Sequence, residues 1–398
     1  MLESEALKAY LDAATDEMVA MLEALVRMES PSNEPATQQA PLALLEDAFR
    51  SLDYRTIRIP GRQSGGHLYA GPYPDRRRAR QSRHWQLLLG HCDSVWPVGT
   101  LEKMPLCRDG DVLMGPGVYD MKAGLVEMVF ALKALRALDV EPVVVPVIFV
   151  NSDEEIGSRE STRYVKSLAR AADRALVLEP SLGPSGKLKT TRKGVGRFTI
   201  TVRGKAAHAG LDPTSGASAI LELSHVIQKL FALNDPERGA SVNVGVIDGG
   251  VRANVVAPES SAVVDVRVAN HEDAHRIEQA ILALQPETEG VSLSVEGRIG
   301  RPPLEPTARN RQLWRVAVDL AESLDIELEE AVAGGGSDGN TTSQYTATLD
   351  GLGAVGDGAH AEHEHIRIGE LANRCALLTA LLMAPPLRQT TAARRGAP

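Results

Sequence analysis

Seven side chains that can hold a metal or move a proton follow strand-like apolar runs or stand in glycine turns. His91 and Asp93 come after "WQLLLG", Asp120 lies in "GPGVYDMKAG", Glu154 and Glu155 in "VNSDEEIGS", Glu179 in "RALVLEP" and His360 in "GDGAHAEHEH". Taken singly, each has an ordinary reading. A carboxylate after a strand is commonly a loop residue or a helix cap, and a histidine among glycines is commonly a surface turn residue. Gathered at one sheet edge they would be different, because the carboxylates of Asp120, Glu154, Glu155 and Glu179 would repel one another unless cations neutralise them. Two histidines with carboxylates make the mixed nitrogen and oxygen donor set that suits zinc, with cobalt or manganese as substitutes. A dinuclear site needs one bridging carboxylate, two further ligands per metal and a free base. His91, Asp120, Glu155, Glu179 and His360 supply five ligands, and Glu154 remains as the base. Two such ions polarise a carbonyl or phosphoryl oxygen and acidify a bridging water, the chemistry of metal-assisted hydrolysis.

The elements that must bring these residues together can be read along the chain. "ALKAYLDAATDEMVAMLEALVRM" has the apolar spacing of one opening amphipathic helix and stops at the turn formers "SPSNEP". Strand-like runs at "WQLLLG", "PVVVPVIFV" and "RALVLEP" alternate with helical stretches such as "MKAGLVEMVFALKALRAL". That alternation predicts an α/β domain, a mostly parallel sheet flanked by helices, whose ligands gather outside the carboxyl ends of the strands. The pattern then changes. "GRFTITVRG" puts Phe198, Ile200 and Val202 on one face, and the order that follows is βαββαβ, with Ile277, Ile281 and Leu284 on one stripe of its second helix. The expected organisation is a catalytic domain over 1–192, an inserted ferredoxin-like domain over 193–303, and completion of the first domain over 304–398. The last segment reads as helix, "GGGSDGNTT" loop, short strand and final helix, with an unordered tail at "PPLRQTTAARRGAP".

Composition narrows the chemistry. The 398 residues, 43% hydrophobic and 24% charged, have ordinary globular usage and enough length for two domains. A net charge of −9 gives no general attraction to phosphate backbones or anionic membranes, so neither nucleic acid nor membrane is an expected partner. The basic run "PDRRRARQSRH" lacks interleaved aromatics and reads as a solvated loop. Three cysteines, Cys92, Cys107 and Cys375, make no disulfide framework and match no structural zinc motif, which fits a reducing compartment. No secretory leader or membrane span is legible, and the expected location is cytoplasmic.

In this order "GHCDSV", "GPGVYDMKAG", "SDEEIGS", "LEP" and "GAHAEHE" resemble the co-catalytic di-zinc exopeptidases that include aminoacylase, acetylornithine deacetylase and the bacterial glutamate carboxypeptidases. The likeness covers nearly the whole chain, including the inserted domain with "GKAAHAG", which in that family mediates dimerisation and closes over the site. The resemblance implies two zinc ions per subunit and a homodimer acting on a small peptide or N-acyl amino acid. Asp120 would bridge the ions, with His91 and Glu179 completing one and Glu155 and His360 the other. Glu154 would be the general base, and Asp93 would hydrogen-bond the far nitrogen of His91. A cis peptide is implied between Asp120 and Met121. His208 would donate to the developing oxyanion, from the partner subunit in that family, with Asn254 nearby. Arg267 would bind the substrate carboxylate, assisted by the backbone near Gly335 and Gly336. Lys187 and Arg301 match residues placed to read an acidic side chain, which implies a preference for C-terminal glutamate.

Several readings stay open at this point. His363 and His365 are rival ligands to His360, Arg267 can pair with Asp265 on its own strand, and His208 can be a plain turn residue. The same ligand set would serve a two-metal phosphoesterase, although the arginine and the inserted domain fit a carboxylate better. A noncatalytic relative should have lost the base or a ligand, and here none is missing. Within the leading class, an aminoacylase or dipeptidase remains the alternative to a glutamate carboxypeptidase.

Overall fold

A computed structural model describes residues 4–72 and 84–387. The basic run over 74–84, apart from His84, and the tail beyond 387, read above as a solvated loop and an unordered end, lie outside the described residues. The chain forms two compact units. One holds the chain up to Thr190, then Pro306–Ala331 and the part from Ser337 on, and the other holds Thr191–Glu305 with Val332–Gly336.

In chain order the first unit has helices α1 (Ser4–Ala13), α2 (Thr15–Arg27) and α3 (Gln39–Ser51), then strands β1 (Tyr54–Ile59), β2 (His67–Pro72) and β3 (Trp85–His91). Helix α4 (Ala123–Ala137), β4 (Val145–Asn151), α5 (Thr162–Ala171) and β5 (Arg174–Val177) follow. The second unit contributes β6 (Gly194–Arg203), α6 (Ala219–Phe231), β7 (Ser241–Gly249), β8 (Glu259–Val268), α7 (His271–Leu282) and β9 (Ser292–Arg301). The first unit is then completed by α8 (Ala308–Glu322), β10 (Ala347–Leu349) and α9 (Leu371–Met383). No helix of the described residues is long and apolar enough to cross a membrane.

The main sheet runs β1-β2-β4-β3-β5-β10. β3 is parallel to β4 and β5, and β10 is parallel to β5, as the alternating pattern predicts. β1 and β2 form an antiparallel pair joined through residues 60–66, and β2 meets β4 antiparallel, so the sheet is mixed. Side chains alternate between its two faces. Leu88, Ile148 and Leu176 join a core with residues of α1, α2, α4 and α9, whereas Leu87, Leu89, Phe149 and Val177 join Val165 of α5 on the other side. Three layers result, with each fully buried leucine contributing about 1.5–3 kcal/mol by removal from water.

Helix α4 is apolar almost all round and lies in the middle of this core. Its glycine at 124 is a packing requirement, because a Cβ there would stand 2.0 Å from the Leu178 carbonyl oxygen. The helix therefore rests directly on the segment that presents Glu179.

Three expectations change in detail. The opening helix is two, separated at Ala14, where the Thr15 hydroxyl bonds back to the Leu11 carbonyl at 3.3 Å. The "GGGSDGNTT" segment contains a short helix, Asp338–Thr342, which Ser337 and Asn340 close with a reciprocal capping box. The pattern also gave no sign of a small antiparallel sheet in the order Gly356–Asp357, His365–Arg367, Val112–Met114, Cys107–Asp109. Its strands have two or three residues each, too few to show a period.

The second unit is an antiparallel sheet in the order β7-β8-β6-β9 with the βαββαβ connectivity read from the sequence. Phe198, Ile200 and Val202 are buried, and Ile277 and Ile281 of α7 are buried with Leu284 packed beside them. One face of the sheet is thus covered by helix. The outer part of β7 is open, with Val246 59% and Ile247 64% exposed.

Candidate metal centre

The carboxyl ends of the three parallel neighbours β4, β3 and β5 hold His91, the turn with Glu154 and Glu155, and Glu179. Asp120 comes from the turn before α4, where Gly117 takes φ +72° and the Asp120–Met121 peptide is cis. His360 comes from the tight turn between Gly356–Asp357 and His365–Arg367, itself at φ +62°, a conformation uncommon outside glycine. The small sheet pairs His365 with Met114 and so holds that turn against the segment leading to Asp120.

The five expected ligand residues form two triads that share Asp120, namely His91 with Asp120 and Glu179, and Asp120 with Glu155 and His360. His91 Nε2 lies 3.4 Å from Asp120 Oδ1 and 3.6 Å from Glu179 Oε1. His360 Nε2 lies 3.4 Å from Asp120 Oδ2 and 3.2 Å from Glu155 Oε2. Donors around a tetrahedral zinc, with bonds of about 2.0–2.1 Å, stand about 3.3–3.4 Å apart. The spacing therefore suits a metal, and so does the hydrogen bonding. His91 Nε2, Asp120 Oδ1 and Glu155 Oε1 are buried atoms without a hydrogen-bond partner among the described residues, an arrangement that is costly unless a cation is received between them. Neither His363 nor His365 joins a triad, and the Nδ1 of His365 is taken up with the His363 carbonyl at 2.9 Å.

Protonation follows from this crowding. Burial opposes a proton on His91, but Asp120, Asp93 and Glu179 together hold its pKa well above the ordinary imidazole range. Asp120 and then Glu155 push His360 up to about 10. Burial would raise Asp120, yet the two imidazoles keep it far below the usual carboxylate range. Glu155 is pushed up to about 7, chiefly by burial. In the metal-free chain the positive charge at the site is thus carried by protons.

Asp93 meets His91 and has further partners besides. His91 Nδ1 is nearer the Asp93 carbonyl, at 3.1 Å, than its carboxylate, at 3.4 Å. The carboxylate also accepts from the Ser32 hydroxyl at 2.7 Å and from the Glu154 and Glu155 backbone N–H groups at 3.2 Å each, which fixes the turn that carries both glutamates. Glu154 is buried and belongs to neither triad.

Asp338 was not foreseen. It accepts from Asn151 Nδ2 at 2.6 Å and from the Ser158 hydroxyl, bracing both ends of the same turn. Glu364 was quoted only as a letter of "GAHAEHE", yet it is fully buried and accepts the N–H groups of Gly117, Tyr119 and Asp120. A carboxylate among histidines in a polar run gives no sequence signal that it is buried.

The expected substrate residues are divided between the two units. Lys187 pairs with Glu329 at 2.6 Å in the first unit. In the second unit Arg267 makes two bonds to Asp265, at 2.8 and 3.1 Å, the pairing left open above. His208 Nδ1 accepts from the Gly210 and Leu211 N–H groups at 3.1 Å each, which leaves the ring proton on Nε2. The Asn254 carbonyl accepts from Ala209 at 3.1 Å, the Gly335 carbonyl from Arg192 at 3.3 Å, Gly336 follows it, and Arg301 closes β9.

Similar proteins agree with this frame. Residues 190–288 match a family model described as a peptidase dimerisation domain of the M20 type. A succinyl-diaminopimelate desuccinylase of Xanthomonas oryzae pv. oryzae is 30% identical over 317 residues, which cover 74% of this chain and 82% of that protein. The chain belongs to the M20 peptidase family. Carboxypeptidase G2 of Pseudomonas sp. strain RS-16 is another relative, 26% identical over 93% of this chain and 90% of its own. An M20 family metallo-carboxypeptidase, Sso-CP2 from Sulfolobus solfataricus, shares the fold with a TM-score of 0.70 at 16% identity, over 92% of this chain and 98% of its own. As an M20 protein the chain is a hydrolase of the metallo-exopeptidase and amidohydrolase type.

Divalent ions entering the two triads must displace the protons held by His91 and His360. Zinc titration of the metal-free chain near pH 7 is expected to release protons, and the apparent affinity should rise towards about pH 10, the value to which His360 is pushed. The sign is fixed by the direction of the shift. The stabilisation that the protonated His360 gives the metal-free fold is full below its ordinary pKa of 6.5 and is lost as pH climbs through about 10. Calorimetry in buffers of different ionisation enthalpy reads the release, and a binding heat independent of the buffer would contradict it.

Proposed function

We propose that the chain is a two-zinc exopeptidase that cleaves the amide bond to a C-terminal amino acid, glutamate by preference. The observation that carries this reading is the pair of triads sharing Asp120, with buried donor atoms that lack a hydrogen-bond partner among the described residues. His91, Asp120 and Glu179 would hold one ion, and Asp120, Glu155 and His360 the other. The ions, when bound, supply a Lewis acid for the scissile carbonyl and a water acidified to near neutrality.

The chain's own groups do the rest. Glu154 takes the proton of the attacking water and returns it to the leaving amine. Asp93 fixes the backbone of Glu154 through its N–H, and Asp338 fixes the turn on which it stands. His208, with two backbone N–H groups on Nδ1, has Nε2–H to offer the developing oxyanion. Asn254 would assist His208, Arg267 would grip the substrate carboxylate with help from the backbone near Gly335 and Gly336, and Lys187 and Arg301 would read an acidic side chain.

A second reading has its own support. Lys187 and Arg267 already have carboxylate partners in Glu329 and Asp265, so the surplus of cations that favours glutamate is smaller than the sequence suggests. An N-acyl amino acid deacylase or dipeptidase indifferent to that side chain would use the same machinery.

A homodimer is part of the proposal. Edge strand β7 is open from Gly245 on, and α6 exposes Ile220, Leu221 and Phe231, an apolar edge that an isolated sheet would normally guard. Sedimentation should give twice the 42.6 kDa chain mass and fall to one chain mass for Val246→Glu, whereas a monomeric parent contradicts the pairing.

The catalytic assignment is tested on N-acyl glutamate and N-acyl leucine side by side. The parent should favour glutamate, and Glu154→Gln should keep its zinc while losing about 100-fold or more in kcat on either substrate. Equal rates in the parent would leave the deacylase or dipeptidase reading, and a Glu154→Gln chain with near-parent kcat would remove Glu154 as the base.

A further inference from the structure

The His360 turn and the Asp120 turn belong to segments more than two hundred residues apart in sequence, and each offers donors to the second triad. A buried carboxylate joins them. Glu364 Oε2 accepts from Trp96 Nε1 at 2.7 Å and from the Gly117 N–H at 2.9 Å. Its Oε1 accepts from the Tyr119 N–H at 2.9 Å and the Asp120 N–H at 3.0 Å. Both oxygens are thus committed to donors on the far side of the site. The backbone of Glu364 is committed to the His360 side. Its N–H bonds to the Ala361 carbonyl at 3.0 Å and Ala361 N–H to Gly358 at 2.8 Å, which closes the turn carrying His360. Its own carbonyl accepts from Gly115 at 3.2 Å, a second link between the two segments.

We propose that Glu364 is a positioning residue that fixes the separation of Asp120 and His360 and so sets the affinity of the second metal site. This rests on the reading of the two triads as metal ligands. The chemistry required is that of an acceptor with no donor. All four groups facing the carboxylate are N–H donors, so a glutamine of the same volume would turn its own NH₂ towards two of them whichever way it flips. The Gly117–Asp120 turn then loses acceptors it cannot replace from water in this buried place. His91 and Glu179 are held by strand ends that Glu364 does not touch. The first triad shares only Asp120 with the disturbed turns and keeps two ligands outside them, whereas the second has both Asp120 and His360 on those turns, so the second should loosen more than the first.

The test uses the full chain, stripped of metal and titrated with zinc against a competing chelator, with cobalt absorption as a spectroscopic readout of ligand geometry. The parent should take two ions. Glu364→Gln should keep the first within a few-fold, bind the second about 10–100-fold more weakly, and give an altered cobalt spectrum at full occupancy. A general loss of stability would weaken both ions alike and is checked by thermal unfolding of the metal-free chains. Trp96→Phe, which removes one of the four donors and keeps a ring of similar size, should show the same selective weakening at a few-fold, and it decides the matter should Glu364→Gln not fold. A parent that binds two ions and a folded Glu364→Gln, or failing that a Trp96→Phe, that matches it in both affinities and spectrum overturns the positioning role alone. A parent that takes no second ion overturns the two-metal reading and this role with it.

Discussion

Charge concentration around Asp120 is the constraint on which the site depends. Asp120, Glu155 and Glu179 converge with two imidazoles at the edge of a sheet, with Glu154 in the turn beside them, and carboxylates so close cannot all stay ionised without positive charge among them. In the metal-free chain that charge is protons on His91 and His360, whose pKa values are raised for this reason. A divalent ion in each triad would supply more charge and would also meet the buried donor atoms that protons leave unmet.

Such a cluster has to be held in place whether or not metal is bound, and the loops around it are anchored by other carboxylates. Asp93 gathers the backbone of Glu154 and Glu155. Asp338 takes Asn151 and Ser158 at the two ends of that turn, and Glu364 takes the backbone before and at Asp120. Each accepts from N–H or O–H groups and adds no donor of its own, so its orientation is fixed by what it receives. Beneath them the sheet supplies rigidity. β3, β4 and β5 are buried on both faces, and α4 lies close enough to Leu178 that only glycine fits at 124.

Much of this was legible in the sequence because long elements carry a period. The apolar runs ending at His91, Asn151 and Val177 were readable as parallel strands, and the alternation at Phe198, Ile200 and Val202 as a half-buried antiparallel one. Residues immediately beyond such strands fall at one edge by geometry, which made His91, Glu155 and Glu179 legible, whereas the choice of His360 over its neighbouring histidines rested on the resemblance of its motif. Shorter or nonlocal features were not legible. The two- and three-residue strands that seat the His360 turn show no pattern, and Glu364 has the same letters as an exposed acidic residue. The partners of Lys187 and Arg267 show the same limit. Glu329 is far along the chain from Lys187, and Asp265 was visible as a neighbour of Arg267 but its choice of partner was not.

The central claim is that Asp120 stands between two metal ions. Anomalous diffraction from crystals grown with zinc, collected on both sides of the zinc absorption edge, tests it directly. The account predicts two peaks flanking the Asp120 carboxylate, one beside His91 and Glu179 and the other beside Glu155 and His360. A single peak, or peaks elsewhere on the chain, would contradict it.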